Sequence, residues 1–303
     1  MKEKQKLHSS LLIGEMFFPI SYDDKNILEV IRRAGELGFY EGVETGIIFD
    51  SKVASKIRTE CENKKLRLTQ WSTLNINNEN LNLSSVNKEI RNKSLSRVKE
   101  LIHFSAECGT KTFALTSGPD PGAAYREEAK KYLADSLHVV CNEVKRYNKD
   151  MDVVMEHLDR YVHKKQLLGP VDETVIWMMP IHQDCPNMYL GWDAAHAALD
   201  GENLITTLHQ AAPIMAELHL SNAVLNPSDP LYGDNHMKYG APGFLTIEVA
   251  GELLKTAVSL NTLKERDGIF TAVEIRTTKA DDLWKVEKES REFLKMAIEL
   301  AND

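Results

Sequence analysis

An aspartate and a histidine sit three residues apart, Asp193 and His196, in GWDAAHAALDGENL, directly after the apolar run Met188, Tyr189, Leu190. A strand ending in Asp-x-x-His delivers an oxygen and a nitrogen donor to one point; the plainer alternative is helix filler. Three more polar residues interrupt or close apolar runs: Glu156 closes VVME, His219 lies within AELHLSN and Glu274 within TAVEIR. Carboxylates and imidazoles inside apolar strands are costly unless something neutralises them. A shared divalent cation does so. Three carboxylates and one imidazole form a mostly hard-oxygen set suited to one Mn²⁺ or Mg²⁺, with Co²⁺ or Zn²⁺ also accommodated, and Mn²⁺ is the expected ion. A simpler account pairs Glu156 with Arg160 and Glu274 with Arg276 and leaves His219 as a satisfied core histidine.

Short β-rich runs alternate with amphipathic helical stretches. LLIGEMFF is followed by a helix over about 26–37, then by GFYEGVETG, LRLTQWS (66–72), a helix through 98–108, TKTFALTSG (110–118) and a helix through 125–147. MDVVMEHL (151–158), helical material, MYLGWD (188–193), a helix near 203–211, IMAELHLSN (214–222), a helix near 247–260 and GIFTAVEIR (268–276) complete the series. Eight strands alternating with helices predict a closed (β/α)8 TIM barrel, one α/β domain over 1–303. No GxGxxG follows the first strand, so a doubly wound nucleotide-binding sheet loses its main support. In a barrel the active site lies at the carboxyl ends of the strands, where Glu156, Asp193, His219 and Glu274 fall on strands five to eight.

Composition narrows the function classes. With 43% apolar and 27% charged residues, the 303-residue chain buries a sizeable core. A net charge of -8 argues against a broad nucleic-acid surface and favours small substrates. Cys61, Cys108, Cys141 and Cys185 lie far apart with no CxxC, which predicts free thiols in a reducing cytoplasm rather than a disulfide framework or zinc knuckle. No run approaches the roughly 18 apolar residues of a membrane helix, and the amino-terminal LLIGEMFF, containing Glu15, reads as strand rather than signal peptide.

Over nearly its whole length the chain resembles the xylose isomerase-like barrels, which include sugar epimerases, ketose isomerases, inosose dehydratases and the endonuclease IV group. The resemblance is carried by AGELGFYEGVETG with Glu44, AECGTKTFALTSG, MEHLDR, WDAAH, LHLSN and VEIR, in that order. It implies that Glu156, Asp193, His219 and Glu274 are the four metal ligands, that Glu156 and Glu274 are catalytic, and that His196 reaches substrate or a second metal. Asp159 and Arg160 fall where ketose 3-epimerases carry a polar residue and an arginine, but Val162 stands where those enzymes often place another glutamate, so their substrate preference does not transfer.

GDNHMKYGAPG (233–243) resembles the Asp-x-His segment of the endonuclease IV group, where extra zinc ions bind. That site needs histidines at the ends of strands three and four, and LTQWSTLN and ALTSGPDPG contain none. One metal is therefore expected, with His236 as a loop or substrate residue. Arg160, Arg276 and Lys238 are candidates to orient hydroxyl or carboxylate groups. Trp71, with Phe17 and Phe18, is a candidate apolar wall against a sugar ring, although core packing explains these aromatics equally. The expected chemistry is proton transfer next to a carbonyl through a metal-stabilised enediolate, making the protein a sugar, sugar phosphate or polyol isomerase or epimerase. The alternatives are an inosose-type dehydratase in the same site, a metal-dependent phosphodiesterase, and a barrel that binds a carbohydrate without turnover. No nucleic acid or membrane partner is expected, and a homo-oligomer is compatible with the sequence.

Overall fold

A computed structural model describes residues 6–260 and 268–302. Among the described residues, ten strands run in chain order: β1 (Leu7–Leu12), β2 (Gly42–Gly46), β3 (Arg67–Trp71), β4 (Thr112–Thr116), β5 (Asp152–Glu156), β6 (Met188–Asp193), β7 (Met215–Ser221), β8 (Ala223–Val224), β9 (Gly233–Asp234) and β10 (Ile269–Glu274). Eight of them close a parallel barrel in the order β1-β10-β7-β6-β5-β4-β3-β2, as the βα repetition predicts, with helices around it in a single TIM-barrel domain. β8 and β9 form a separate antiparallel ribbon at the mouth.

The helices start where short polar side chains can satisfy the first free amide groups. Asp23 accepts from Lys25 N ahead of helix Asp24–Leu37, Asn87 caps Lys88–Glu107, Asn203 caps Leu204–Ala211 and Thr246 caps Ile247–Ser259. Their apolar stripes pack on the outside of the strands, where most of the core lies, with Val98, Leu101 and Leu133 fully buried. Inside the barrel a smaller cluster joins Leu12, Trp71, Val154 and Tyr189 to Ala114, Ala216 and Ala272.

The first strand departs from the sequence expectation. It ends at Leu12, and Ile13–Met16 turns at once into a short helix. Phe17 is therefore buried in the core with its ring edge against Trp284, 4.7 Å between centroids, and is no substrate wall. Among the described residues, four further helices had no counterpart in the expectation from sequence: Ser51–Lys64, Thr73–Asn78, Ala194–Leu199 and Leu283–Asn302. No helix among the described residues is long and apolar enough to cross a membrane.

Candidate metal centre

Barrel register sets the four expected donors at one level. Glu156, Asp193 and Glu274 are the last residues of β5, β6 and β10, and His219 pairs with Asp193 across the β6–β7 ladder. Gly191 faces Glu156 in the β5–β6 ladder, and a Cβ there would lie 3.1 Å from Val154 Cγ1 and 3.6 Å from Glu156 Cβ. Its missing side chain leaves Glu156 room at the rim. One donor atom from each of Glu156, Asp193, His219 and Glu274 lies within 4.8 Å of the others, and all four residues are buried.

Such crowding needs positive charge. His219 supplies some: burial opposes its protonation, yet Glu44, Glu156 and Glu274 together hold it well above its ordinary range. Asp193 is pushed up to about 6, chiefly by burial, with Glu274 and Glu156 adding to the effect against His196. Three buried carboxylates converging around one imidazole are the donor chemistry a hard or borderline divalent cation takes, so the residues fit such an ion. Neither simple pairing forms: Arg160 binds Glu173, and Arg276 binds Glu15.

Neighbouring groups orient the donors. His219 Nε2 lies 3.1 Å from Glu44 Oε2, which also accepts from Trp71 Nε1 at 2.8 Å. His219 Nδ1 is thereby turned inward, 3.1 Å from Glu274 Oε2 and 3.4 Å from Glu156 Oε1. Asp193 caps the helix Ala194–Leu199: its Oδ1 accepts from His196 N at 3.0 Å, while Oδ2 accepts from Ser221 Oγ. The Asp-x-x-His spacing is thus a cap carboxylate followed three positions later by a histidine in the first turn. His196 Nδ1 lies 3.1 Å from Asp159 Oδ1, and Nε2 faces back at 3.9 Å from both Asp193 Oδ1 and Asp234 Oδ2.

A cavity of about 450 Å³ opens over these donors, lined among others by Trp71, Glu156, Lys164, His196, His219, His236, Glu274 and Arg276. Its size suits a small organic ligand. Trp71 lies at the wall, its ring 5.2 Å from that of His219. His236 is not a surface histidine: the β8–β9 ribbon folds it inward with φ 48°, and Nδ1 lies 2.7 Å from Glu274 Oε1. Arg276 borders the cavity above the Phe18 ring, with its guanidinium in a bidentate pair with Glu15.

Two expected contacts are corrected. Arg160 does not line the cavity; its buried guanidinium binds Glu173 Oε2 at 2.6 Å and Leu167 O at 2.6 Å, bracing the β5 loop against helix Val171–Asp184. Lys238 lies at the surface, 3.5 Å from Glu289, outside the cavity lining. Four residues beside the site carried no assigned role from sequence: Glu15, Glu44, Asp159 and Lys164. Glu44 was legible as a charge inside the strand run GVETG, whereas Lys164 sits in a loop whose course no local pattern reveals.

The xylose isomerase-like TIM barrel family model matches residues 31–257. No curated protein matches the sequence. Among solved structures, a D-psicose 3-epimerase studied with D-fructose superimposes with a TM-score of 0.72 at 12% identity, covering 98% of this chain and 100% of that one. The IolI protein with a bound zinc atom gives 0.68 at 14%, covering 97% and 98%. An AP endonuclease of family 2 from Brucella melitensis gives 0.65 at 15%, covering 91% and 95%. At such identities these structures share a fold with this chain, and the family match, spanning more than half of it, decides membership: the chain belongs to the xylose isomerase-like TIM barrel family.

Proposed function

We propose that the protein is a divalent-metal-dependent sugar, sugar phosphate or polyol isomerase or epimerase. The observation that carries the reading is the convergence of Glu156, Asp193, His219 and Glu274 beneath a cavity of monosaccharide scale. Mn²⁺ is the ion favoured by the three carboxylates. When bound, the cation supplies Lewis-acid stabilisation of the negative oxygen that develops beside the reacting carbon.

The protein's own groups do the proton work. Glu156 and Glu274 stand on β5 and β10, separated around the barrel by β6 and β7, and approach the cavity from different directions. One removes the carbon-bound proton and the other returns a proton. His196 and Arg276 orient substrate oxygens, and Trp71 excludes water from one wall. His236 touches Glu274 and steadies it toward the cavity. The ends of β3 and β4 present Trp71 and Thr116 to the cavity, where the multi-metal phosphodiesterase alternative needs histidines. We place the reaction in the cytoplasm, in carbohydrate metabolism, with no nucleic-acid partner.

The test is product analysis in D₂O with a panel of ketoses and inososes and Mn²⁺ present. Deuterium gained at an inverted or isomerised carbon, and lost in Glu156→Gln and Glu274→Gln, is the expected result. Loss of water from the substrate would replace the reading with dehydration, and cleavage of an abasic duplex would replace it with phosphodiester hydrolysis. Ligand binding without any exchange would leave a non-catalytic barrel.

A further inference from the structure

The cavity over the four candidate donors continues outward. Phe18 and Arg276 line it on one side and, on the other, bound a second space of about 500 Å³ that Pro19, Tyr22 and Lys279 also line. This space lies where the ring of strands is sealed, between the loops that follow β1 and β10. Its frame is cross-linked. Thr277 N donates to Glu15 O at 3.2 Å, Thr277 Oγ1 donates to Met16 O at 2.8 Å, and both oxygens of Glu15 hold the Arg276 guanidinium. A ligand on so preorganised a surface loses little to ordering it.

The groups on this shelf suit a carbohydrate ring. Arg276 Cζ lies 4.7 Å from the centroid of the Phe18 ring, and Phe18 meets Tyr22 edge-on with centroids 5.4 Å apart, so a ladder of planar groups leads away from the mouth. Tyr22 is exposed and offers an apolar ring with a polar tip. No carboxylate lines the space among the described residues, and Glu15 already matches the charge of Arg276. Lys279 has no partner among the described residues. A single ammonium is a point charge without the fork that grips a phosphate at two oxygens. Aromatic faces edged by one ammonium and one phenol instead match the C–H face and hydroxyl rim of a pyranose.

We infer that this shelf binds a second sugar ring, joined by a glycosidic bond to the ring that reacts over the donors, so the substrate class is a glycosylated ketose. The assignment of the reacting ring rests on the isomerase or epimerase reading above, whereas the shelf is built from residues outside the donor set.

Affinity measured by titration calorimetry on the full chain with Mn²⁺ present tests this. The probes are fructose, fructose 6-phosphate, and turanose, maltulose, leucrose and isomaltulose, which carry glucose on different hydroxyls of fructose. At least one disaccharide is expected to bind the parent roughly threefold to tenfold tighter than fructose, the scale of one good aromatic contact. Tyr22→Ala is expected to abolish that advantage, and Tyr125→Ala, which changes an exposed tyrosine elsewhere, to keep it. Tyr22→Ser stands in if melting curves show the alanine variant misfolded. No disaccharide tighter than fructose overturns the inference, as does an advantage that survives loss of the Tyr22 ring. A gain confined to fructose 6-phosphate and lost in Lys279→Ala overturns it in favour of a phosphate site. Deuterium exchange separates the two readings. A Tyr22-dependent preference without exchange into any sugar retains the shelf and refutes the isomerase reading, and exchange into fructose without a disaccharide preference does the reverse.

Discussion

Glu44 is the most informative residue to perturb, because it touches no proposed substrate atom yet sets the posture of His219, a proposed metal donor. It is buried, with Oε2 3.1 Å from His219 Nε2 and 2.8 Å from Trp71 Nε1. Glu44→Gln preserves shape and leaves an amide oxygen able to accept from both, but removes the charge that fixes the imidazole tautomer and raises its basicity. Losing such outer partners typically costs 10- to 100-fold in metal affinity, about 1.4 to 2.7 kcal/mol. The metal-free protein is expected to lose stability too. Burial opposes the Glu44 charge, but the His219 imidazole beside it holds the carboxyl below its ordinary range, so that charge stabilises the fold and its removal lowers the melting temperature. Competition titration of Mn²⁺ and Zn²⁺ against a calibrated chelator, beside metal-free melts, reads both effects. Affinity within about threefold of the parent would refute the claim that Glu44 orients His219 for a cation. Glu156→Gln, which takes the negative charge from a proposed donor itself, must show a larger loss in the same titration.

Three further outcomes are expected. Mn²⁺ at about 100 times its dissociation constant adds about 2.7 kcal/mol to stability. At about 2.1 cal/mol/K of unfolding entropy per residue over 303 residues, that raises the melting temperature by about 4 °C; no shift at any divalent ion would remove the metal centre. Arg160→Ala is expected to cost about 2 kcal/mol by denaturant melting, because Glu173 loses one of its two cationic partners and Leu167 O loses its donor, while cation affinity stays at the parent value; weakened cation binding would return Arg160 to the site. Glu202 is raised to about 7, mainly by burial, so the folded state binds its proton more tightly than the unfolded chain. Its contribution is present below the ordinary glutamate range and lost as pH climbs toward 7. Glu202→Gln should therefore flatten the fall in metal-free melting temperature between pH 4.5 and 7, and an unchanged slope would refute the assignment.

The βα alternation was legible because parallel strands buried on both sides are short apolar β-branched runs, and VVME, MYLGWD and TAVEIR announce themselves that way. The four candidate donors were legible for the same reason: a carboxylate at the end of such a run has no cheap burial without a partner. LLIGEMFF misled because Ile13 and Met16 are as apolar as strand residues, although they pack from a helical turn. Arg160 was misread because sequence adjacency to Glu156 says nothing about direction; the chain turns after β5 and delivers the guanidinium to Glu173. Lys164 and Asp234 meet across a long sequence separation through a loop and a two-residue ribbon, and neither has periodicity to expose it.

The four candidate donors come from separate strands of a ring sealed by β1 against β10. An unfolded chain holds no such arrangement, so an ion that binds there would select only molecules whose ring has closed. Assays run with abundant metal would consequently mask mild folding lesions anywhere along the seam, and the same lesions would surface as apparent activity defects once metal becomes scarce.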